Sequence, residues 1–412
     1  MNKLLNIAVR NLLRYKRRTL LTASLITLGV VFVLVFVSVT GSFKAMMIAQ
    51  NTDSMLGHLQ VHRKGYVASI DNLPLNLNLK GGANARLEKI LDGEPEIAAW
   101  SPRIKFGAMF STFVETTNIR LNGIDPEREL QAVPLLSGRV IEGEKMLSRG
   151  GIWVPELLAR GMKVKIGDTV VIVATNQDGS VNGRQFKVAG ILESATGPGG
   201  RDGYIHIEDA AEVLRMEGRE ISEVAVRLRD FSRLAAVSAG LDGMLAVERN
   251  QQDKPIFELH TWEKLSPFFN IARMIDVMTF FMKLMLIAIV LVSIMNVMIM
   301  AVYERIREIG TIAAIGTRPG RILAMFLLEG LSLGVAGAVL GNIVGAVIIF
   351  VLNAAHITYD FGRQTDLLLQ VTIDPVDLLV LSVIVIVISV VASLQPAFKA
   401  SRMEPIKALR HV

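Results

Sequence analysis

Cysteine is absent from the 412-residue sequence, and this absence excludes disulfide bridges and thiolate metal sites together. A GxxxxGK[ST] loop is also missing, so we expect no ATP binding of the P-loop kind by this chain. What the sequence has in quantity is apolar residues, at 51%, alongside 20% charged residues. That mixture suggests a membrane protein that carries a large soluble part.

Patterns that could carry catalysis or bind a cofactor or metal are weak in this sequence. His58 and His62 are four residues apart, a chelating distance on a helix, but on a strand this spacing separates the side chains by roughly 13 Å. Residues 197–203 are glycine-rich but lack the strand–loop–helix setting of a phosphate loop. Three carboxylates in the same region are ordinary for loop and strand: Glu193, Asp202 and Glu208. We therefore predict no catalytic, cofactor-binding or metal site in this chain.

Four apolar stretches reach the length of about 20 residues that a helix needs to cross a bilayer. The predicted spans are residues 19–43, 277–302, 322–352 and 376–398. The charged residues within them are Lys283, Glu329 and Asp377, the second residue of the fourth span. Lys283 also lies near an end, where a long side chain can reach the headgroups. A buried soluble core rarely contains helices that are apolar on all sides over such a length.

The distribution of basic residues predicts the orientation of the spans. They cluster in the 1–18 segment, which reads as an amphipathic helix, in the 303–321 loop and in the 399–412 tail. The short 353–375 segment contains only Arg363 among three aspartates. Both termini and the 303–321 loop are therefore expected in the cytoplasm, with residues 44–276 and 353–375 outside. Since these flanks account for most of the net charge of +6, we predict no nucleic-acid partner.

The external segment, residues 44–276, is predicted to form an α+β domain. Short strand patterns separated by turn signals recur at 58–62, 119–121, 169–173, 186–188, 204–207 and 224–228. Helical patterns cover 83–92 and 231–248. We expect the section before about residue 135 and the helix after residue 230 to pack together, with a β-rich subdomain, about 135–230, inserted between them.

The charged segment between the second and third spans is the most informative part of the chain. Its pattern favours a helix over 303–317 with one apolar face, formed by Ile306, Ile309, Ala313 and Ile315. Four charged residues are expected to stay exposed to water: Glu304, Arg305, Arg307 and Glu308. Such a helix would suit contact with a protein partner; the alternative is an ordinary solvated loop.

The third span has a stripe of five glycines on one helical face: Gly330, Gly334, Gly337, Gly341 and Gly345. In lipid, small residues allow the close backbone approach that lets helices associate. We predict a contact face against another span, either in this chain or in a second copy. Glu329 lies inside the same span and needs a partner or water at that depth.

With these features in place, the chain resembles the permease subunits of the FtsX/MacB/LolCE superfamily of ABC transporters. The similar segments are RNLLRYKRRT (10–19), REIG (307–310) with AIG (314–316), FLLEG (326–330), PAFKA (396–400) and PIKALR (405–410). The resemblance implies four transmembrane helices and a large extracytoplasmic α+β domain of MacB-like type, with a Porter-like core and an inserted β-rich Sabre-like subdomain. It implies two permease subunits, as a homodimer or a related heterodimer, and two separate ATPase subunits that bind ATP and Mg. Coupling to the ATPase is expected from Glu304, Arg305, Arg307, Glu308, Ile309 and Gly310.

Within the superfamily, GIDP (123–126), VKIGDTV (164–170) and Thr261-Trp262 with Pro267 look most like the lipoprotein-releasing LolC/LolE type. This likeness implies a permease in the bacterial inner membrane that releases lipoproteins from the outer leaflet, with a periplasmic carrier or adaptor as a further partner. Alternatives are MacB-like export of a drug, peptide or lipid, and FtsX-like transmission of motion to a cell-wall enzyme. An anchored receptor is disfavoured, because it would need fewer spans and a cytoplasmic output domain.

Overall fold

The structure, a computed structural model, describes residues 10, 14, 16–194, 201–216, 218–361 and 364–404. The chain forms two compact units. The first comprises Met1–Lys44, Arg273–Tyr359 and Leu368–Val412, and the second comprises Ala45–Ala272 with Asp360–Leu367. Most of the 1–18 segment and the 405–410 motif lie outside the described residues, as do residues 362 and 363.

The helices and strands of the described residues are numbered here in chain order. The helices are α1 (Lys16–Asn51), α2 (Gly81–Gly93), α3 (Pro126–Ala132), α4 (Glu156–Gly161), α5 (Ile207–Val213), α6 (Leu234–Ala246), α7 (Trp262–Leu265), α8 (Phe268–Glu304), α9 (Ile306–Ala314), α10 (Pro319–Ala354) and α11 (Pro375–Ser401). The strands are β1 (Leu59–Arg63), β2 (Ile97–Ser111), β3 (Thr116–Ile124), β4 (Val140–Gly143), β5 (Gly151–Pro155), β6 (Thr169–Thr175), β7 (Val181–Leu192), β8 (Gly203–His206), β9 (Glu223–Leu228), β10 (Phe257–Thr261), β11 (Thr358–Phe361) and β12 (Gln364–Leu368).

Four helices are long and apolar enough to cross a membrane, and most of each lies in the first unit: Thr19–Leu56, Phe268–Glu304, Pro319–Ala354 and Pro375–Ser401. They share one apolar core, to which α1 contributes Val30 and Leu34 and α8 contributes Val290. Large apolar side chains such as Phe32 and Phe280 are exposed on the outside of this unit. Apolar residues on all faces fit a lipid environment, in which the outer face of a helix bundle needs no polar cover.

The second unit contains a ten-stranded mixed sheet in which most neighbouring strands are antiparallel. Its longest strand, β2, pairs with β9 through residues 97–103 and with β6 through residues 108–111. One strand therefore runs through two apolar cores. The first core includes Leu87 and Leu91 of α2 and Leu241 of α6, so the section before residue 135 and the helix after residue 230 share one core, as expected.

The second core of this unit corrects the predicted extent of the β-rich section. It already includes Ile104, Phe106 and Phe110 of β2, which come well before residue 135. The reason is that β2 and β3 form a long antiparallel hairpin, and the later strand β8 pairs with β3. Pro102 and Gly107 lie within β2, and both residues weaken a strand pattern, so the sequence did not predict this strand.

Candidate functional site

The charged segment between α8 and α10 forms a short helix, α9, set off from α8 by a break. The break lies at Arg305, whose backbone (φ −110°, ψ 17°) leaves the helical region. Residues 303 and 304 therefore belong to the end of α8. On α9, Ile306 and Ile309 are buried while Arg307 and Glu308 are exposed. Because buried and exposed residues alternate with the spacing of a helix, α9 is amphipathic.

Arg305 is not exposed to water, and the prediction that it would be is wrong. Its guanidinium Nη1 donates to Glu329 Oε1 of α10 at 2.8 Å, and the two side chains are only 7% and 2% exposed. A carboxylate within a membrane-spanning helix is costly unless a cation or water compensates it. Arg305 meets that need for Glu329, so the first residue after α8 is joined to α10.

Ile315 also differs from the sequence prediction, because 80% of it is exposed. Helix α9 ends at Ala314, and Gly316 adopts a left-handed conformation with φ of 94°. The amide of Thr317 donates to the carbonyl of Ile312 at 3.2 Å and closes the turn. Since the helical period stops there, Ile315 does not share the face of Ile306 and Ile309. The end of α9 instead presents an exposed apolar residue.

Glu308, on the exposed side of α9, contacts Arg14 of the N-terminal segment. Arg14 Nη1 lies 3.3 Å from Glu308 Oε1, and the two side chains are 65% and 50% exposed. An exposed pair of this kind contributes only about 0–1 kcal/mol. It leaves the charged surface of α9 accessible.

The five glycines of α10 face two other spans of the same chain. Gly330 and Gly334 lie against Ser393 and Ser389 of α11. The remaining three lie against Ile26, Val30 and Leu34 of α1: Gly337, Gly341 and Gly345. An added Cβ at any of these positions would come within 2.7 Å of a neighbouring heavy atom. The stripe thus permits close packing of α10 on both α11 and α1.

These contacts connect α9 to three spans. Arg305 follows α8 directly and pairs with Glu329, and Gly330, the next residue of α10, packs on Ser393 of α11. At the other end of the unit, Lys283 Nζ of α8 lies 3.2 Å from Asp377 Oδ1 of α11. A displacement of α9 would therefore be passed to packed, hydrogen-bonded helices rather than absorbed by a loop.

Among the described residues, no group of three or more histidine, cysteine or acidic side chains could hold a metal ion. His58 Nδ1 accepts from the backbone amide of Leu228 at 3.0 Å, and His62 is fully buried, 3.5 Å from Glu223. His58 is therefore held against β9 and His62 lies within β1, both in structural positions. Residues 197–200 of the glycine-rich stretch lie outside the described part of the chain.

A buried charge cluster in the second unit was not found by sequence reasoning. Arg103 of β2 pairs with Glu129 at 2.6 Å and with Glu223 at 3.0 Å, and Lys105 also reaches Glu223 at 3.0 Å. Burial alone would raise the pKa of Glu223, but Lys105, His62 and Arg103 outweigh it and hold that pKa well below its ordinary value. In the sequence, the only sign of this cluster is the pair of cationic residues at alternate positions of a strand, 103 and 105.

Two protein-family models match the chain. The model for the MacB-like periplasmic core domain matches residues 19–243, more than half of the chain. The model for the FtsX-like permease C-terminal part matches residues 280–405. The matched regions together include most of the external domain, three of the four long apolar helices, most of α8, and α9; residues 244–279 lie outside both.

Individual relatives are similar at low identity. The lipoprotein-releasing system transmembrane protein LolC of Neisseria meningitidis is 24% identical, over 95% of this chain and 94% of its own length. The macrolide export ATP-binding/permease protein MacB of Nitrobacter winogradskyi is 28% identical over 56% of this chain, which spans about a third (34%) of that relative. The crystal structure of the periplasmic region of MacB from Actinobacillus actinomycetemcomitans aligns with 51% of the chain at 12% identity, with a TM-score of 0.36.

Proposed function

The chain belongs to the ABC-transporter permeases that combine a MacB-like periplasmic core domain with an FtsX-like C-terminal part, and from that membership we propose how it works. It is a membrane subunit rather than an enzyme, with a large extracytoplasmic domain. In our proposal a separate ATPase binds ATP and Mg in the cytoplasm, and its movement reaches the extracytoplasmic domain through the spans. The cargo is a lipoprotein in the outer leaflet of the bacterial inner membrane.

The observation that supports coupling is the construction of α9. Its exposed face offers Arg307 and Glu308 to a partner, while Ile306 and Ile309 are buried and Ile309 belongs to the apolar core of the helix bundle. The buried pair of Arg305 and Glu329 gives the same element a polar link to α10. A partner that moved α9 would therefore move the ends of α8 and α10 together. We also propose Glu304 and Gly310 as part of this coupling segment.

Helix α1 offers a route for that movement away from the ATPase. It runs unbroken from Lys16 to Asn51, past the end of its predicted span at residue 43. Its apolar face packs on the glycine stripe of α10 at Gly337, Gly341 and Gly345. This route needs no polar pathway for cargo through the bilayer. Both termini and α9 would lie in the cytoplasm, as the basic flanks suggest.

The lipoprotein cargo is supported by the LolC match, which extends over nearly the full length of both chains. The second candidate is export of a drug or peptide, favoured by the several MacB relatives at 27–29% identity over about half of this chain. We place lipoprotein release first, because its relative matches both the external domain and the permease part. Two copies of the permease, or one with a related subunit, would complete the complex, and a periplasmic carrier would receive the cargo.

Depletion in the native bacterium separates the two candidates. If the protein releases lipoproteins, its loss will leave outer-membrane lipoproteins in the inner-membrane fraction, as measured by fractionation and immunoblotting. Normal sorting together with new drug sensitivity would overturn lipoprotein release in favour of export. Co-purification of an ATPase in equal amount is expected in both cases, and its absence would contradict the coupling proposal.

A further inference from the structure

Helix α1 is followed directly by one π-helical turn, Thr52–Leu56. The amide of Gly57 closes this turn by donating to the carbonyl of Thr52 at 2.8 Å. Such turns are rare in proteins and are over-represented at functional sites. Four of its five residues are buried: Thr52, Ser54, Met55 and Leu56. The turn is therefore a fixed part of the fold, and its contacts decide which part of the second unit α1 can move.

The backbone carbonyls of the turn are held by the segment that leads into β4. The amide of Leu135 donates to the carbonyl of Asp53 at 2.8 Å, and Arg139 Nη1 donates to the carbonyl of Ser54 at 3.4 Å. The carboxylate of Asp53 is held separately, by Arg227 Nη1 of β9 at 3.1 Å. The end of α1 is thus bonded to the chain on both sides of β4 and β9 by groups that do not belong to α1.

Arg139 is a buried cation whose partners are carbonyl groups. It is only 2% exposed, and no carboxylate of a described residue lies at salt-bridge distance from it. Its Nη2 donates to the carbonyl of Glu193 at 2.9 Å, and the amide of Glu193 donates to the carbonyl of Arg139 at 2.7 Å. Burial of a charge without a counter-charge is costly, and an apolar side chain would fill the same space without that cost. What the arginine supplies is a planar fork that joins Ser54 to Glu193.

The residues next to Arg139 belong to a third apolar cluster of the second unit. Leu136 and Val140 are buried on either side of Arg139 in the sequence, and they pack with Trp153 of β5 and Leu192 of β7. This cluster, named here the Trp153 cluster, consists of Ile124, Val133, Leu136, Val140, Leu147, Trp153, Leu192 and Tyr204. Its members lie between positions 124 and 204, so none of them belongs to α1 or α8.

The first core of the unit is connected to the spans differently. It includes Met47 of α1 together with Phe268 and Ala272 of α8. A shift of α1 relative to α8 would therefore act on the first core from both helices. The Trp153 cluster, in contrast, is bonded to the end of α1 through Leu135 and Arg139.

We propose that Arg139 is the positioning residue that makes the Trp153 cluster follow the end of α1. Its guanidinium bridges Ser54 of the π turn and Glu193 at the end of β7. The flanking Leu136 and Val140 then pass the displacement to the strands that contribute to the cluster. That ATP drives this displacement rests on the proposed function, whereas the bridge itself does not.

The first test measures the bridge in the full chain in lipid nanodiscs. Because the chain has no cysteine, two spin labels can be attached through cysteines introduced at Ala45 of α1 and Glu142 of β4, both of which are exposed. Double electron–electron resonance should give one narrow distance distribution for the wild type. Arg139→Met should make it about twice as wide, because both bonds from the guanidinium to carbonyls are lost. Arg139→Lys should also widen it, since an ammonium does not reproduce the planar fork, and this variant keeps the charge if the methionine variant fails to fold.

The second test is ATP hydrolysis by the complex with its ATPase, with and without a purified outer-membrane lipoprotein. Both Arg139 variants should lower the ratio of stimulated to basal hydrolysis by at least about fivefold, the lower end of usual coupling between sites. The matched control is Arg229→Met. Arg229 also donates to a backbone carbonyl, that of Pro95 at 2.9 Å, but it is exposed and does not contact the π turn. The control should match the wild type in both tests.

Equal widths for the wild type and both Arg139 variants, or equal widening in Arg229→Met, would overturn the proposal. A widened distribution with full stimulation of hydrolysis would overturn the role of Arg139 in coupling. If the distances change as expected but no ATPase co-purifies with the chain, the bridge stands and the proposed function fails. If lipoprotein stimulates hydrolysis equally in all variants, the proposed function stands and this inference fails.

Discussion

Replacing Glu329 by glutamine should destabilise the bundle far more than breaking an ion pair near its surface. The substitution keeps the size of the side chain but removes the carboxylate charge that faces the Arg305 guanidinium, whose side chain is 7% exposed. Removing one partner of a buried pair costs about 3–5 kcal/mol. The matched control is Asp377→Asn, which breaks a pair with Lys283 whose side chains are 25% and 33% exposed. An exposed pair contributes about 0–1 kcal/mol.

The assay is the thermal midpoint of the purified complex in nanodiscs, with ATP hydrolysis measured on the same samples. Glu329→Gln should lower the midpoint several times more than Asp377→Asn. The double variant Arg305→Met with Glu329→Leu should recover most of that loss, because apolar replacement of a buried pair is often neutral. It should still show reduced substrate-dependent hydrolysis, since the polar link between α9 and α10 is gone. If Glu329→Gln costs no more than the control, the pair is not the buried link described here.

Two further outcomes follow from packing and charge. Gly341→Ala should destabilise the bundle by about 1–3 kcal/mol, because the new Cβ would lie 2.5 Å from Val30 Cβ. Val30→Gly in the same chain removes that atom, so the double variant should lose less of the thermal midpoint than the sum of the two single variants, and additive losses would contradict the packing. Glu223 has a folded pKa below its ordinary value of 4.5, so its stabilising effect is complete above that pH and is lost as the pH falls through the folded pKa. The wild type should therefore lose stability more steeply below about pH 4.5 than Glu223→Gln, and parallel melting curves from pH 7 to 3 would refute this.

The four spans were predictable because the signal for a membrane helix is local. A run of about 20 apolar residues can be recognised without knowing which residues it contacts in the fold. The glycine stripe was visible for the same reason, but the sequence left open whether it meets this chain or a second copy. The structure shows that it faces α1 and α11 of this chain.

Contacts between distant residues were not predictable in this way. Arg305 and Glu329 are 24 positions apart, and the charge of Arg305 alone indicated exposure. Ile315 was misplaced because the helical period was extended past the turn at Gly316, where the chain changes direction. Strand β2 was missed because Pro102 and Gly107 interrupt its pattern, although its other residues pack on both cores. In each case the outcome depends on tertiary packing, and a short stretch of sequence carries no information about that packing.

The most direct test of the account reverses the charges on the exposed face of α9. In the double variant Arg307→Glu with Glu308→Arg, both residues remain exposed, so membrane insertion and the external domain should stay intact. Because Glu308 also pairs with Arg14, the control is Arg14→Gln, which breaks that pair without changing α9. The account predicts that substrate-dependent ATP hydrolysis by the purified complex is abolished in the reversed variant and kept in the control. Full substrate-dependent hydrolysis in the reversed variant would contradict the assignment of α9 as the coupling helix.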